Sequence, residues 1–210
     1  MQNQKKLSEF FTSVSEVTNL YYRKKFNKYI NQQFEILDFG CGSGELLGLI
    51  QCKYKIGVEI NKFSQNKLKT KKIIFVSKLN DIKKKKFDTI FALSVIDHLQ
   101  DPIYFIKKLA NKLKKNGQLI IIIRHDNKNQ NQINSSWKGH LYSWSMLSFN
   151  NLLNSIGLRS IDHGIIKMTL PPGYIFLKKF FSTAQILSLS KLYYYFNFKD
   201  RRFYFVCKKK

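Results

Sequence analysis

The fold of this chain is decided by the stretch Ile36-Leu37-Asp38-Phe39-Gly40-Cys41-Gly42-Ser43-Gly44-Glu45-Leu46-Leu47. An apolar run ends in a glycine-rich turn, and apolar residues at helical spacing follow it. This order is typical of a buried parallel strand whose carboxyl end opens into a helix. Glycines in such a turn let the main chain bend sharply and approach a bound ligand closely. The stretch therefore predicts a ligand-binding turn after the first strand.

A second strand strengthens this interpretation. The segment Lys55-Ile56-Gly57-Val58 leads into Glu59, which lies a short distance beyond Gly44. A carboxylate about 20 positions after such a turn commonly binds ribose hydroxyls. The dehydrogenase pattern G-x-G-x-x-G is not present, because Glu45 takes the place of its third glycine. A glycine turn in some other α/β protein stays open as the alternative.

Strand and helix patterns alternate along the rest of the chain. The expected strands are 35–39, 54–59, 73–76, 87–93, 118–124, 158–167 and 202–207, and the main helices between them are 44–51, 61–69, 101–115 and 145–156. Such alternation predicts a doubly wound, Rossmann-like α/β fold with a mostly parallel seven-stranded sheet. The last strand is expected to be antiparallel and to follow an aromatic-rich helical lid.

The composition limits the class of protein. The formal net charge is +24, yet most of the 37 basic residues are Lys. Nucleic-acid-binding proteins favour Arg, because its planar fork pairs with phosphates and guanine edges. An A/T-rich genome also produces a chain rich in Lys, Asn, Ile, Phe and Tyr. Three Cys without metal-ligand spacing, and no long apolar run or signal-peptide pattern, predict a soluble, cytoplasmic protein.

The glycine turn and Glu59 resemble motif I and the ribose-binding acid of the class I S-adenosylmethionine-dependent methyltransferases. Three further segments resemble the small-molecule branch that includes the ubiquinone-biosynthesis O-methyltransferases. They are Leu93–Pro102, Leu113–Leu119 and His140–Ser145, which are similar to V-L-E-H-x-x-D-P, L-K-P-G-G-x-L and H-x-x-x-F-S/T. The resemblance implies a single methyltransferase domain, residues 1–210, with an N-terminal helical cap (1–33), a cofactor-binding half (34–124) and a substrate-side half (125–210, lid 171–199).

The resemblance also implies a site for S-adenosyl-L-methionine at the carboxyl edge of the sheet. Asp38 is expected to hold the glycine turn near the methionine moiety, and Glu59 to bind both ribose hydroxyls. Lys78 stands where the family often has an Asp that binds the adenine amino group, so Asp81 or a main-chain carbonyl is left to replace it. The full set implied to bind the cofactor is Asp38, Gly40, Cys41, Gly42, Gly44, Glu59, Ile60, Ser77, Leu79 and Ser94.

Three histidines at strand or loop ends face the expected cleft. Imidazole has an ordinary pKa near 6.5, which suits removal of a proton from a methyl acceptor. We rank His98 first as the catalytic base, then His140 and His125; a His98 that only stabilises its loop is the alternative.

Some relatives of this branch bind a metal through two carboxylates and a His. Ser94 replaces one carboxylate beside Asp97 and His98, so we expect no metal.

The function implied by the resemblance is methyl transfer from S-adenosylmethionine to oxygen, with nitrogen second, of a small or lipid-linked metabolite. A nucleic-acid methyltransferase, favoured by charge alone, and a non-catalytic S-adenosylmethionine-binding module are the alternatives. Residues Tyr174–Phe198 predict either a helical lid over the substrate or a basic aromatic surface that contacts a membrane. The expected partner is the substrate, with peripheral membrane contact left open and nucleic acid not expected.

Overall fold

A seven-stranded sheet forms the centre of the protein. The computed structural model describes residues 16–83, 85–125, 141–196 and 202–210. The strands are β1 (Glu35–Phe39), β2 (Tyr54–Val58), β3 (Phe75–Val76), β4 (Phe87–Leu93), β5 (Leu113–Arg124), β6 (Leu158–Ile165) and β7 (Arg202–Lys209). Their order is β3-β2-β1-β4-β5-β7-β6; β7 pairs antiparallel with both β5 and β6, and the other four neighbouring pairs are parallel. The predicted Rossmann-like fold with an antiparallel last strand is confirmed.

Seven α-helices in the described part of the chain connect and cover these strands. They are α1 (residues 16–25), α2 (Glu45–Leu49), α3 (Lys62–Thr70), α4 (Pro102–Asn111), α5 (Met146–Ser155), α6 (Tyr174–Leu177) and α7 (Thr183–Phe196). Side chains of Asn61, Asp101 and Ser145 accept hydrogen bonds from the free main-chain N–H groups at the starts of α3, α4 and α5. These caps explain why the three helices begin within a residue of their predicted positions.

The end of α4 differs from the sequence prediction. The pattern predicts a helix that reaches Lys115 and ends at Asn116-Gly117, but α4 ends at Asn111 and β5 begins at Leu113. Strand β5 pairs Leu113 with Phe87 before its register shifts. A Cβ on Gly117 would lie 2.7 Å from the main-chain oxygen of Phe87. The glycine therefore permits close pairing of β5 with β4, a long-range requirement that resembles a helix-ending signal in the sequence.

The sheet has a hydrophobic core on each face. In β5, Leu119, Ile121 and Ile123 face the core that α4 and α5 cover, whereas Ile120 and Ile122 face the core beneath α1, α3 and α7. The central strands β4 and β5 are thus buried on both sides, which explains their nearly continuous apolar sequences.

The predicted lid segment is helical and is attached to the second core. Strand β6 ends and β7 begins at the edge of the sheet that holds the carboxyl ends of the parallel strands, so α6 and α7 connect two points of that edge. Helix α7 buries Ile186 and Leu187 in the core that also contains Tyr21 of α1. Phe176 and Phe180, by contrast, are 60% and 68% exposed.

In the part of the chain that the structure describes, no helix combines the length and apolarity that crossing a membrane requires.

Candidate functional site

The glycine turn joins β1 to α2 at the carboxyl edge of the sheet. The main-chain N–H groups of Gly40 and Cys41 donate to the oxygen of Val58, at 2.9 and 3.1 Å, so the turn is fixed to β2. Gly42 has a φ of +55°, and a Cβ at this position would meet no atom within 4 Å. The main chain of Gly42 therefore borders open space, where a ligand can approach it closely.

Glu59, directly after β2, joins the glycine turn to the start of α3. Its Oε2 accepts a hydrogen bond from the Gly42 N–H at 2.9 Å, and its Oε1 accepts one from the Asn61 N–H at 2.7 Å. Each carboxylate oxygen can accept a second hydrogen bond, so both remain able to bind a ligand hydroxyl. Ile60, next in the chain, is 80% exposed and offers an apolar surface beside the carboxylate. The arrangement fits the sugar and base of a nucleoside.

Asp38 lies on β1 just before the glycine turn and is only 4% exposed. Burial, followed by the nearby negative charges of Glu59 and Glu45, raises the pKa of Asp38 from its ordinary 3.8 to about 7. A cation beside Asp38 would stabilise the ionised form and lower this pKa again. The three neighbouring carboxylates of Asp38, Glu59 and Glu45 therefore favour a positively charged group at this position.

The raised pKa of Asp38 leads to a prediction on cofactor binding. The affinity of the wild-type protein for S-adenosylmethionine should increase as the pH rises from 5.5 to 8, because only ionised Asp38 attracts the cation. Asp38→Asn should bind more weakly at pH 8 and lose most of this pH dependence. Titration calorimetry at several pH values measures both effects. The uncharged analogue 5′-methylthioadenosine is the control, and equal pH dependence of wild type and variant would contradict the prediction.

The same group should affect the stability of the ligand-free protein. The pKa of Asp38 is about 7 in the folded protein and near 3.8 in an unfolded chain, so the folded form binds the proton more tightly. The contribution of Asp38 to the free energy of unfolding is complete below pH 3.8 and is lost as the pH rises to 7. The melting temperature of Asp38→Asn should therefore decrease less than that of the wild type as the pH rises from 3.8 to 7.

Gly44 provides a test of how tightly the turn is packed. Its φ is +78°, and a Cβ would lie 2.5 Å from Leu68 Cδ2 and 2.7 Å from Ile73 Cδ1. We expect Gly44→Ala to lower the free energy of unfolding by about 2 kcal/mol, from left-handed backbone strain and overpacking. Gly48→Ala, in α2 with no atom within 4 Å of the added Cβ, should instead raise it by about 0.5 kcal/mol. Urea unfolding measures both, and equal changes would contradict this account.

The remaining expected cofactor residues lie around the same edge. Ser94 directly follows β4 and has a φ of +54°, a conformation uncommon outside glycine, and its N–H donates to Ile122 O at 2.9 Å. Ser77 Oγ accepts a hydrogen bond from Gln65 Nε2 at 3.1 Å, and this amide nitrogen also donates to the main-chain oxygen of Glu59. Cys41 is largely buried, and burial raises the pKa of its thiol, so the thiol stays neutral.

The predicted adenine side of the site is less complete. Leu79 buries its side chain in the first core and is 4% exposed, so chiefly its main chain is available to a ligand. Asp81 accepts a hydrogen bond from the Lys78 N–H at 3.1 Å and stabilises its own turn. A carboxylate oxygen can accept further hydrogen bonds, so the replacement of the missing adenine-binding Asp by Asp81 or a main-chain carbonyl stays a prediction.

Two of the three candidate histidines follow neighbouring strands. His98 ends a short 3-10 turn (Ile96–His98) after β4, and His125 follows β5. Strands β4 and β5 are paired in parallel, so both residues lie at the carboxyl edge. The His125 ring packs against the Phe203 ring, with 4.6 Å between the ring centroids. Its Nδ1 is buried and has no hydrogen-bond partner among the described residues. His140 lies outside the described residues.

Asp97 is a residue of this edge to which the sequence analysis gave no role. It is 1% exposed, and its Oδ2 accepts a hydrogen bond from the Arg124 N–H at 2.8 Å. Its main-chain oxygen accepts hydrogen bonds from Leu141 and Tyr142, at 2.8 and 3.2 Å. Asp97 therefore links the ends of β4 and β5 to the segment before α5, and so positions the adjacent His98. An acid in the short segment that follows a buried strand was the available sequence signal.

The second carboxylate oxygen of Asp97 has no hydrogen-bond partner among the described residues. Burial raises the pKa of Asp97 to about 7, although its contacts with Arg124 and Trp144 oppose the change. Within the described ranges, no group of three or more His, Cys, Asp or Glu side chains could hold a metal ion.

Comparison with known proteins identifies a matching family model and two curated relatives. A family model described as a methyltransferase domain matches residues 13–163. The ubiquinone biosynthesis O-methyltransferase of Pelagibacter ubique is 35% identical over 103 residues, which cover 43% of this chain and 42% of that protein. The tRNA U34 carboxymethyltransferase of Aeromonas hydrophila is 29% identical over 101 residues, covering 41% of this chain and 30% of that protein. The matches thus span less than half of either curated relative.

Solved structures extend the similarity to nearly the whole chain. An S-adenosylmethionine-dependent methyltransferase from Clostridium acetobutylicum superposes with a TM-score of 0.62. The superposition covers 98% of both chains, at 12% sequence identity. The TM-score over nearly the whole chain shows a shared fold, and at this low identity the similarity shows the fold alone.

Proposed function

The chain belongs to the methyltransferase domain family, and from this premise we propose that it transfers a methyl group from S-adenosylmethionine to an oxygen atom of a small or lipid-linked metabolite. The enzyme class and the cofactor follow from the family and from the fold neighbours. The acceptor and the roles of individual residues are our proposal. The observation that carries it is the Glu59 carboxylate bound to the Gly42 main chain beside open space.

The residues present fit the cofactor at both of its ends. Glu59 offers two carboxylate oxygens to the ribose hydroxyls, with exposed Ile60 beside it for the adenine ring. Asp38 lies on β1 just before the glycine turn, and in its ionised form it would favour the positively charged methionine part. Its raised pKa supports this role, because a buried acid gains from a neighbouring cation.

When bound, S-adenosylmethionine supplies an electron-poor methyl group on a sulfonium ion. The task of the chain is then to hold an acceptor oxygen in line with that methyl group, since alignment and exclusion of water supply much of the rate. Asp97 fixes the ends of β4 and β5, which place His98 and His125 at the edge where the acceptor must approach. We propose His98 as the group that removes the hydroxyl proton, with His140 and His125 as the other candidates.

An oxygen acceptor on a small or lipid-linked molecule is supported by two observations. The Pelagibacter ubique relative is by its name an O-methyltransferase of ubiquinone biosynthesis. The segment between β6 and β7, which begins and ends at the carboxyl edge, exposes Ile175, Phe176 and Phe180. An apolar surface at the acceptor side suits a substrate with a hydrophobic tail and a shallow contact with a membrane.

A labelled-methyl assay tests the proposal. A first measurement checks that S-adenosylhomocysteine raises the melting temperature of the purified chain. The chain is then incubated with S-adenosylmethionine that carries a labelled methyl group. Separate reactions contain a lipid extract, a water-soluble metabolite extract and total tRNA, all prepared from cells of the organism that encodes the chain. We expect base-stable label in the lipid or metabolite fraction. Cofactor binding without label in any fraction would instead support the non-catalytic binding module.

A tRNA base is the second candidate acceptor. It is favoured by the similarity to a tRNA U34 carboxymethyltransferase and by the net charge of +24. Label that enters the tRNA fraction and is released by ribonuclease would establish this candidate in place of the first.

A further inference from the structure

A basic pocket lies at the opposite edge of the sheet from the glycine turn. It has a volume of about 340 Å³ and is lined by Asn80, Lys85, Lys86, Lys108, Asn111 and Lys112. We call these six residues the lysine pocket. They come from the loop before β4 and from the end of α4, which the hydrogen bond from Phe87 N–H to Lys112 O joins at 2.9 Å. The amino ends of β4 and β5 therefore hold the pocket in place.

Most of the positive charge of the lysine pocket is not neutralised. Lys85 lies 3.5 Å from a carboxylate oxygen of Glu35. Lys108 donates to Asn80 Oδ1 at 2.9 Å. Lys112 donates to the main-chain oxygen of Ile82, and Lys86 to that of Asn111. These three acceptors are uncharged. Among the described residues, no carboxylate forms an ion pair with Lys86, Lys108 or Lys112.

The three ammonium groups also repel one another. Burial lowers the pKa of Lys112, and the charges of Lys86 and Lys108 lower it further. The pKa of Lys209, at the end of β7, is lowered by burial and by Lys86. An anion in the pocket would remove this repulsion. Each ammonium has three N–H donors, so the hydrogen bonds already made leave most of them available.

We propose that the lysine pocket binds a small ligand that carries two or three adjoining phosphate groups, such as a nucleoside triphosphate or inorganic tripolyphosphate. Several negative charges on one short chain match three lysines that line one cavity. The volume lies at the lower end of the range for small-molecule sites. A nucleic acid fits less well, because it is bound along an extended groove rather than in one cavity. Apart from Asn80, which follows Leu79 of the expected cofactor set, the lining residues lie in the loop before β4 and towards the end of α4, so this inference does not depend on the proposed function.

Titration calorimetry with sodium tripolyphosphate at constant ionic strength tests the site. The pocket variant is Lys108→Gln with Lys112→Gln, which removes two charges but keeps polar side chains. The control variant is Lys24→Gln with Lys69→Gln, which removes two charges from exposed positions on α1 and α3. We expect the pocket variant to bind at least about tenfold more weakly than wild type, as loss of charged hydrogen bonds implies. The control variant should bind within about twofold of wild type.

Three results would overturn the inference. Equal loss in the two variants would mean general attraction to a basic surface, and equal affinity for orthophosphate and tripolyphosphate would mean an adventitious ion only. Tighter binding of an RNA oligonucleotide, lost in the pocket variant, would mean a nucleic-acid surface. The melting temperature of the pocket variant, with and without S-adenosylhomocysteine, shows separately whether the chain is folded and whether the cofactor site is intact.

Discussion

Glu59→Ala should weaken binding of S-adenosylmethionine by about 100-fold or more while the chain stays folded. The substitution removes the two oxygens that we assign to the ribose hydroxyls, and it also frees the Gly42 and Asn61 N–H groups from the carboxylate that holds them. A hydrogen bond to a charged group contributes about 1.5–3 kcal/mol, so two of them give about 3 kcal/mol at least, or about 100-fold. Titration calorimetry with S-adenosylmethionine measures the change.

A matched control separates this effect from a general loss of negative charge. Glu16→Ala removes a carboxylate from the surface, where its partner is Lys178, and should leave the affinity within about twofold of wild type. Glu59→Ala should also bring the pKa of Asp38 closer to its ordinary value, because one of the charges that raise it is gone. The pH dependence of cofactor binding would then move to lower pH. An unchanged affinity in Glu59→Ala would show that the ribose is bound elsewhere.

His98→Ala should lower kcat by about 100-fold, the usual contribution of a general base. The dissociation constant for S-adenosylmethionine should stay within about twofold, since no cofactor contact is assigned to this side chain. Steady-state kinetics with the acceptor found in the labelling assay, together with calorimetry, measure the two quantities. His163→Ala is the control, because this exposed histidine on β6 packs against Phe205 and lies outside the proposed site.

Added imidazole distinguishes a base from a structural residue at position 98. A small imidazole can enter the space left by the side chain and restore part of the rate in His98→Ala, but it cannot repair a displaced loop. An unchanged kcat in His98→Ala would exclude this residue as the base. His125→Ala, measured in the same way, would then test the histidine at the end of the neighbouring strand.

Short-range patterns in the sequence were sufficient for most of the fold. Strands β1 and β4 have the predicted bounds, and α3, α4 and α5 begin at the predicted caps. These elements depend on contacts between residues close in the chain, or on an apolar run that is buried on both faces. The end of α4 could not be predicted in this way. Gly117 serves a contact with Phe87, thirty positions earlier in the chain, and its sequence neighbours resemble the end of a helix.

By itself, the sequence determined the class of fold, the glycine turn and the acid after β2, because each is a local pattern set by the geometry of one strand and the turn that follows it. Only the tertiary structure decided the environment of those residues, that is, their burial and the charges near them. Burial beside Glu59 and Glu45 gives Asp38 its raised pKa, and pairing of β4 with β5 brings Asp97 to the Arg124 main chain. The lysine pocket likewise unites a loop with the end of a helix. Desolvation and charge interactions depend on distances in space, which the order of residues along the chain does not contain.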